Sequence, residues 1–176
     1  MEIVALPLAG LVLVKPRVFR DDRGFFVETF SELRYHDGGI AVAWVQDNHS
    51  RSTYGTLRGM HFQTSPGQAK LVRCASGKIW DVVVDIRRGA PTFGKYHAEI
   101  LDDEAHYQMF IPIGFAHGFV VLSDTADVVY KVSSVYDATT EVGFHYRDPA
   151  VAIQWPIDDV TISARDRDAK PLAEVA

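Results

Sequence analysis

The segment GTLRGMHFQ, residues 55–63, has the character of a β-strand, yet its centre carries Arg58, Gly59 and His61. A strand that only packs a core has no use for an arginine and a histidine three residues apart. Side chains alternate along a regular strand, so Arg58 and His61 would point to opposite faces. A bulge or bend at Gly59 would bring both to one face. The segment therefore predicts an irregular strand that faces a polar cavity.

Apolar runs rich in Val, Ile, Phe and Tyr recur on both sides of it. They include LVLV (11–14), VAWVQ (42–46), AKLVRCA (69–75), KIWDVVVDI (78–86), YHAEIL (96–101), YQMFIPI (107–113), HGFVVLS (117–123) and DVVYKVSSV (127–135). Turn-forming stretches such as SPGQ, ASGK and RRGAPTFG separate them. Short strands punctuated by glycine and proline predict an all-β sandwich or barrel. In DVVYKVSSV, alternation sets Val128, Tyr130, Val132 and Ser134 on one face, and Tyr130 there is either a cavity wall or a core tyrosine. Only SELRYHDG (31–38), opened by Ser31, reads as a short capped helix. The tail after Trp155 reads as another turn of helix and coil.

The chain has 176 residues, 47% of them hydrophobic and 23% charged, with a net charge of −5. This suits one soluble domain spanning 1–176. The acidic balance argues against non-specific nucleic-acid binding, while a local arginine cluster would still hold a small anion. Cys74 is the one cysteine; it excludes an internal disulfide and a CxxC zinc site, and points to a reducing, cytoplasmic setting. The apolar opening MEIVALPLAGLVLVKP lacks a basic leader and is too short to span a bilayer.

His61 and His117 both fall in predicted strands. A metal centre needs about three converging ligands. His61 is followed two residues later by Gln63 rather than a second histidine, and Lys70 is nearby, so no metal is expected. His61 then reads as a general base or as a structural histidine. Arg23 lies in a loop, DDRGFF. Arg58 reads either as a bidentate anion ligand or as an arginine on an exposed face. Lys70 is either a surface lysine or a cation set where negative charge develops on an oxygen. Gln46, Asp47 and Asn48 end a predicted strand as a turn or as sugar and base contacts. Glu28, Glu141, Arg165 and Asp166 mean little singly. GxGxxG, GxxxxGK[ST] and GxSxG are all absent, which removes the main support for nicotinamide, P-loop and serine-hydrolase chemistry.

Taken in order, DDRGFFVETF, VQDNHSRSTYGTLRGMHFQ, AKLVRCASGKIWDVVVDIRRGAPTFGK, IPIGFAHGFVVLSD, VVYKVSSVYD, RDPAVAIQWP and SARD resemble the dTDP-4-dehydrorhamnose 3,5-epimerases over residues 17–168. The resemblance implies a cupin-like jelly roll, a homodimer, no cofactor, and a dTDP-linked 4-keto-6-deoxyhexose as substrate. It implies that His61 is the base, Asp166 its orienting partner, Lys70 the cation at the enolate oxygen and Tyr130 the acid on the opposite face. Arg23 and Arg58 resemble the pyrophosphate pair. Gln46, Asp47, Asn48, Glu28, His117, Glu141 and Arg165 match further substrate contacts, Glu28 across the dimer, and Tyr136 sits where the family stacks an aromatic on thymine. Met60, Arg165, His145 and Tyr146 depart from the family's usual leucine, lysine, isoleucine and tryptophan. Mono-epimerases acting at C3 or C5 alone are the alternative; a keto-isomerase and a non-catalytic sugar-binding cupin are more distant readings.

Overall fold

The computed structural model describes residues 1–176. Strands β1 (Glu2–Ala5), β2 (Val12–Lys15), β3 (Val18–Asp21) and β4 (Gly24–Val27) precede the helix α1 (Glu32–Asp37). The main run follows with β5 (Gln46–Thr53), β6 (Leu57–Gln63), β7 (Lys70–Ser76), β8 (Lys78–Asp85) and β9 (Tyr96–Asp102). It continues with β10 (Gln108–Ile111), β11 (Phe115–Val121), β12 (Thr125–Val132) and β13 (Glu141–Gly143), and closes with α2 (Ala164–Arg167) and α3 (Leu172–Val175).

These strands form a six-stranded sheet in the order β1-β2-β10-β7-β12-β5 and a five-stranded sheet in the order β13-β6-β11-β8-β9. The pairings within both are antiparallel. The sheets face each other as the jelly-roll sandwich that the resemblance implies. Alternation explains the core between them: Val72 and Cys74 of β7, Ile79 and Val83 of β8, Phe119 and Val121 of β11 and Val128 of β12 form one buried cluster. Each such side chain contributes about 1.5–3 kcal/mol by leaving water. The outer face of the five-stranded sheet, with Met60, Phe62, Val82 and Val84, is covered by Phe144, Val151, Ile153 and Leu172 from the C-terminal segment. This covering segment carries α2 back to β6.

Three expectations change. VAWVQ is not a strand: residues 41–45 are irregular, and Val42 and Trp44 pack on the cluster around Tyr35 and Ile40 outside the six-stranded sheet. The strand is instead the polar run Gln46–Thr53, whose alternate residues Gln46, Asn48, Ser50 and Ser52 are the less exposed ones. A polar cavity, rather than an apolar core, accounts for that pattern. DDRGFF is the turn of a separate two-stranded ribbon, β3–β4, with Phe25 and Phe26 exposed. Ser31 precedes α1 as expected, but its side chain makes no capping bond.

Candidate active site

The irregularity expected at Gly59 is present. His117 pairs with His61 and Phe119 with Arg58, so Gly118 alone stands opposite both Gly59 and Met60. This one-residue bulge resets the alternation, and Arg58 and His61 line the same cavity. Gly59 has φ of +132°, and a Cβ there would come within 2.6 Å of Gly118 Cα. Only glycine meets both conditions.

The cavity has a volume of about 440 Å³. It brings together Arg58, His61, Lys70, His117, Tyr130, Glu141, Arg165 and Asp166, which come from β6, β7, β11, β12, β13 and the α2 turn. His61 Nε2 and Asp166 Oδ1 are 2.6 Å apart. Ser163 caps α2 by accepting a hydrogen bond from the Asp166 N–H at 3.1 Å, which fixes the carboxylate beneath the histidine. Burial pushes the Asp166 carboxyl up, but the hydrogen bond and charge of His61, with the donors of Ser163 and the Gly59 backbone, outweigh it and hold it below its usual range. An ionised carboxylate only accepts. His61 Nε2 is therefore the donor, and whenever the ring is neutral its free lone pair is on Nδ1.

Lys70 is buried on the inner face of β7, and its Nζ lies 6.0 Å from the Tyr130 ring centroid. Burial pushes the ammonium down to about 8, with Glu141 and Asp81 pulling the other way. Burial and the Glu141 charge raise the Tyr130 phenol, against the opposing Arg58 charge, so it remains a proton donor at neutral pH. Arg58 donates from Nε to Ser52 Oγ at 3.0 Å, leaving its terminal nitrogens for an anion. Arg165 Nη1 donates to Glu141 Oε2 at 2.5 Å. His117 is paired through Nε2 with Asp81 Oδ2 at 2.7 Å. Asp81 was not singled out from sequence; the signal was a carboxylate at an inward position of the apolar run KIWDVVVDI, and it is 0% exposed.

The remaining expected residues lie elsewhere. Gln46 and Asn48 are joined by a 2.7 Å bond on the inner side of β5, and Gln46 Oε1 accepts from the N–H of Tyr136, a half-exposed residue. Asp47 is not brought into the cavity: alternation turns it to the outer face, where its carboxylate pairs with Lys131 at 3.0 Å. Arg23 is an exposed turn residue paired with Asp21, and Glu28 pairs with Arg34, both outside the cavity of their own chain.

A sequence model described as dTDP-4-dehydrorhamnose 3,5-epimerase matches residues 5–174. The chain belongs to this family. The dTDP-4-dehydrorhamnose 3,5-epimerase of Pseudomonas aeruginosa is 45% identical over 176 residues, covering 99% of this chain and 97% of that protein. The crystal structure of the Legionella pneumophila dTDP-6-deoxy-D-glucose-3,5-epimerase, in complex with dTDP-4-keto-L-rhamnose, is 44% identical with a TM-score of 0.96, covering 99% and 94% of the two chains. A 4-keto-6-deoxy sugar epimerase from the novobiocin gene cluster of Streptomyces spheroides is 39% identical with a TM-score of 0.95, covering 99% and 88%. The cupin-like fold of these epimerases is the fold of this chain. No helix is long and apolar enough to cross a membrane.

Proposed function

We propose that this epimerase-family protein inverts C3 and C5 of dTDP-4-keto-6-deoxy-D-glucose to give dTDP-4-keto-L-rhamnose. The observation that carries the proposal is the His61–Asp166 pair opening on the same cavity as Lys70 and Tyr130. The C4 ketone acidifies the protons on its two neighbours. The lone pair of His61 Nδ1 takes one proton, and the C–H electrons flow into the ketone to form an enolate. The Lys70 ammonium stabilises the oxygen charge. The Tyr130 hydroxyl returns a proton to the carbon from the opposite face, inverting it. The imidazolium and phenolate left behind reset through solvent before the second centre reacts. The chemistry of acid, base and cation is complete in these side chains without a cofactor.

Arg58 holds the pyrophosphate, and His117, Glu141 and Arg165 contact the substrate along the cavity wall. Tyr136 stacks on the base, with Gln46 and Asn48 beside it. β5 is an edge strand, so Asp47 serves through its outward main-chain groups rather than its carboxylate. Arg23 and Glu28 serve a second copy of the chain, the β3–β4 ribbon of each protomer completing its partner's site in a homodimer. One domain spanning 1–176 carries the whole site. The free, buried Cys74 supports a cytoplasmic setting.

Proton NMR of dTDP-4-keto-6-deoxyglucose with the protein in D₂O tests the function. Loss of signal at both H3 and H5 is expected. Loss at one carbon would establish the mono-epimerase reading. Loss at neither would overturn the proposal.

A further inference from the structure

Beyond Val132 the ladder of β12 ends, and residues 133–140 form bends and turns before β13. Nothing in a sheet therefore fixes Tyr136, which is 50% exposed. Backbone bonds tie the segment at its ends, from the Ser133 N–H to Ala69 O and from the Thr64 N–H to Thr140 O, and side chains hold the residues next to Tyr136. Gln68 Nε2 donates one proton to Ser134 O and the other to Gln63 Oε1, both at 2.9 Å. Gln63 Nε2 donates in turn to Val135 O at 3.3 Å. On the other side, the Tyr136 N–H donates to Gln46 Oε1 at 3.1 Å. The segment is thus clamped from both flanks, and each glutamine amide is oriented by the next.

Gln63 is 8% exposed and Gln68 is partly buried, and neither lines the cavity that holds His61 and Lys70. Both line a separate cleft of about 350 Å³, with Phe62 and Phe115. A glutamine pair outside the lining of the reactive cavity, with its donors aimed at two successive carbonyls before Tyr136, has a mechanical use. An aromatic face that receives a nucleobase gains affinity only when held at the stacking distance before binding, because ordering it afterwards costs conformational entropy.

We infer that Gln63 and Gln68 are positioning residues that set Tyr136 for stacking on the nucleotide base. The inference rests on the proposed role of Tyr136. Gln68→Glu and Gln63→Glu are isosteric and remove the amide protons aimed at the carbonyls of Ser134 and Val135. Two separate variants guard against a folding defect in either.

The test is calorimetric binding of dTDP and of inorganic pyrophosphate, with steady-state kinetics alongside. Each Glu variant is expected to weaken dTDP about fivefold to tenfold and to raise KM, with kcat within about twofold and pyrophosphate affinity unchanged. In a Tyr136→Ala background, Gln68→Glu is expected to have no further effect on dTDP, because its route of action is gone. Equal weakening of dTDP and pyrophosphate, an undiminished effect in that background, or no effect at all would overturn the inference. Binding does not require turnover. A protein that bound dTDP in this pattern but exchanged no proton would overturn the epimerase proposal and leave the inference standing; one that bound no dTDP would overturn both.

Discussion

His61 and Asp166 are separated by 105 positions in the chain and by 2.6 Å in space. The contact joins the irregular strand β6 to the short helix α2, and it depends on the C-terminal segment folding back across the five-stranded sheet. Asp166 is 5% exposed, so its charge is met by the imidazole and the donors of Ser163 and Gly59 rather than by water.

Removing the proposed base is expected to separate chemistry from binding. His61→Ala is expected to abolish proton exchange while dTDP affinity stays within about tenfold, or 1.4 kcal/mol. Asp166→Asn, whose amide also offers a donor to Nε2, is expected to lower kcat by about 10² or more. Isotope wash-in and calorimetry on the same preparations check both.

Arg58→Ala is expected to act the other way. Its guanidinium is oriented by Ser52; with the proposed grip on the pyrophosphate removed, dTDP affinity should fall by about 1.5–3 kcal/mol, the range for a hydrogen bond to a charged group. The exchange rate at saturating substrate should change far less. Kinetics over a wide range of substrate concentration separates the two effects.

Lys70 is expected to set the alkaline limb of the pH profile. Burial brings it from 10.5 to about 8. Turnover that needs the ammonium is expected to fall as pH rises through about 8, and Lys70→Arg is expected to move that limb to higher pH, since a guanidinium stays charged. Stability moves oppositely. Between about 8 and 10.5 the unfolded chain binds more protons at this site than the folded one, so the Lys70 contribution to stability rises with pH. Below about 8 the cost of the buried charge is constant. Chemical denaturation at pH 7 and pH 9.5, in the native chain and in Lys70→Met, isolates this term.

Tyr130→Phe removes the proposed acid while leaving the proposed base and cation in place. Deuterium wash-in is expected to persist, because His61 still takes and returns a proton on its own face. Formation of inverted product is expected to fall by about 10²–10⁴. Equal loss of both would reassign Tyr130 to binding.

Gly59→Ala is expected to destabilise the fold by about 2–3 kcal/mol. The added Cβ meets the Gly118 backbone at 2.6 Å, and the positive φ disfavours any side chain. Thermal or urea unfolding measures it.

Much of this was legible before the structure, and the exceptions share a cause. The apolar strands announce themselves because their inward residues meet a dry core. β5 does not: its inward residues are Gln46, Asn48, Ser50 and Ser52, which reads as loop unless the cavity is already known. Val42 and Trp44 mislead in reverse, being apolar because they cover the outside of a sheet. The pairing of Arg58 with His61 was readable from parity and a glycine. The pairing of His117 with Asp81 was not, because it depends on β11 and β8 lying side by side in register, which local pattern does not specify. Arg23 and Glu28 carry no local sign that they lie outside the cavity of their own chain.

The bulge at Gly59 has a metrical consequence. With the proposed roles of Arg58 and His61, it makes one short piece of backbone carry both the anchor for the anion and the base for the sugar, with no joint between them that a loop could lengthen. The span from phosphate to reacting carbon would then be a fixed gauge, written into β6 itself. A sugar nucleotide with a shorter or longer bridge would engage Arg58 or His61, but not both. Discrimination by bridge length would then survive substitution almost anywhere else in the cavity, and would be lost with the glycine that sets the gauge.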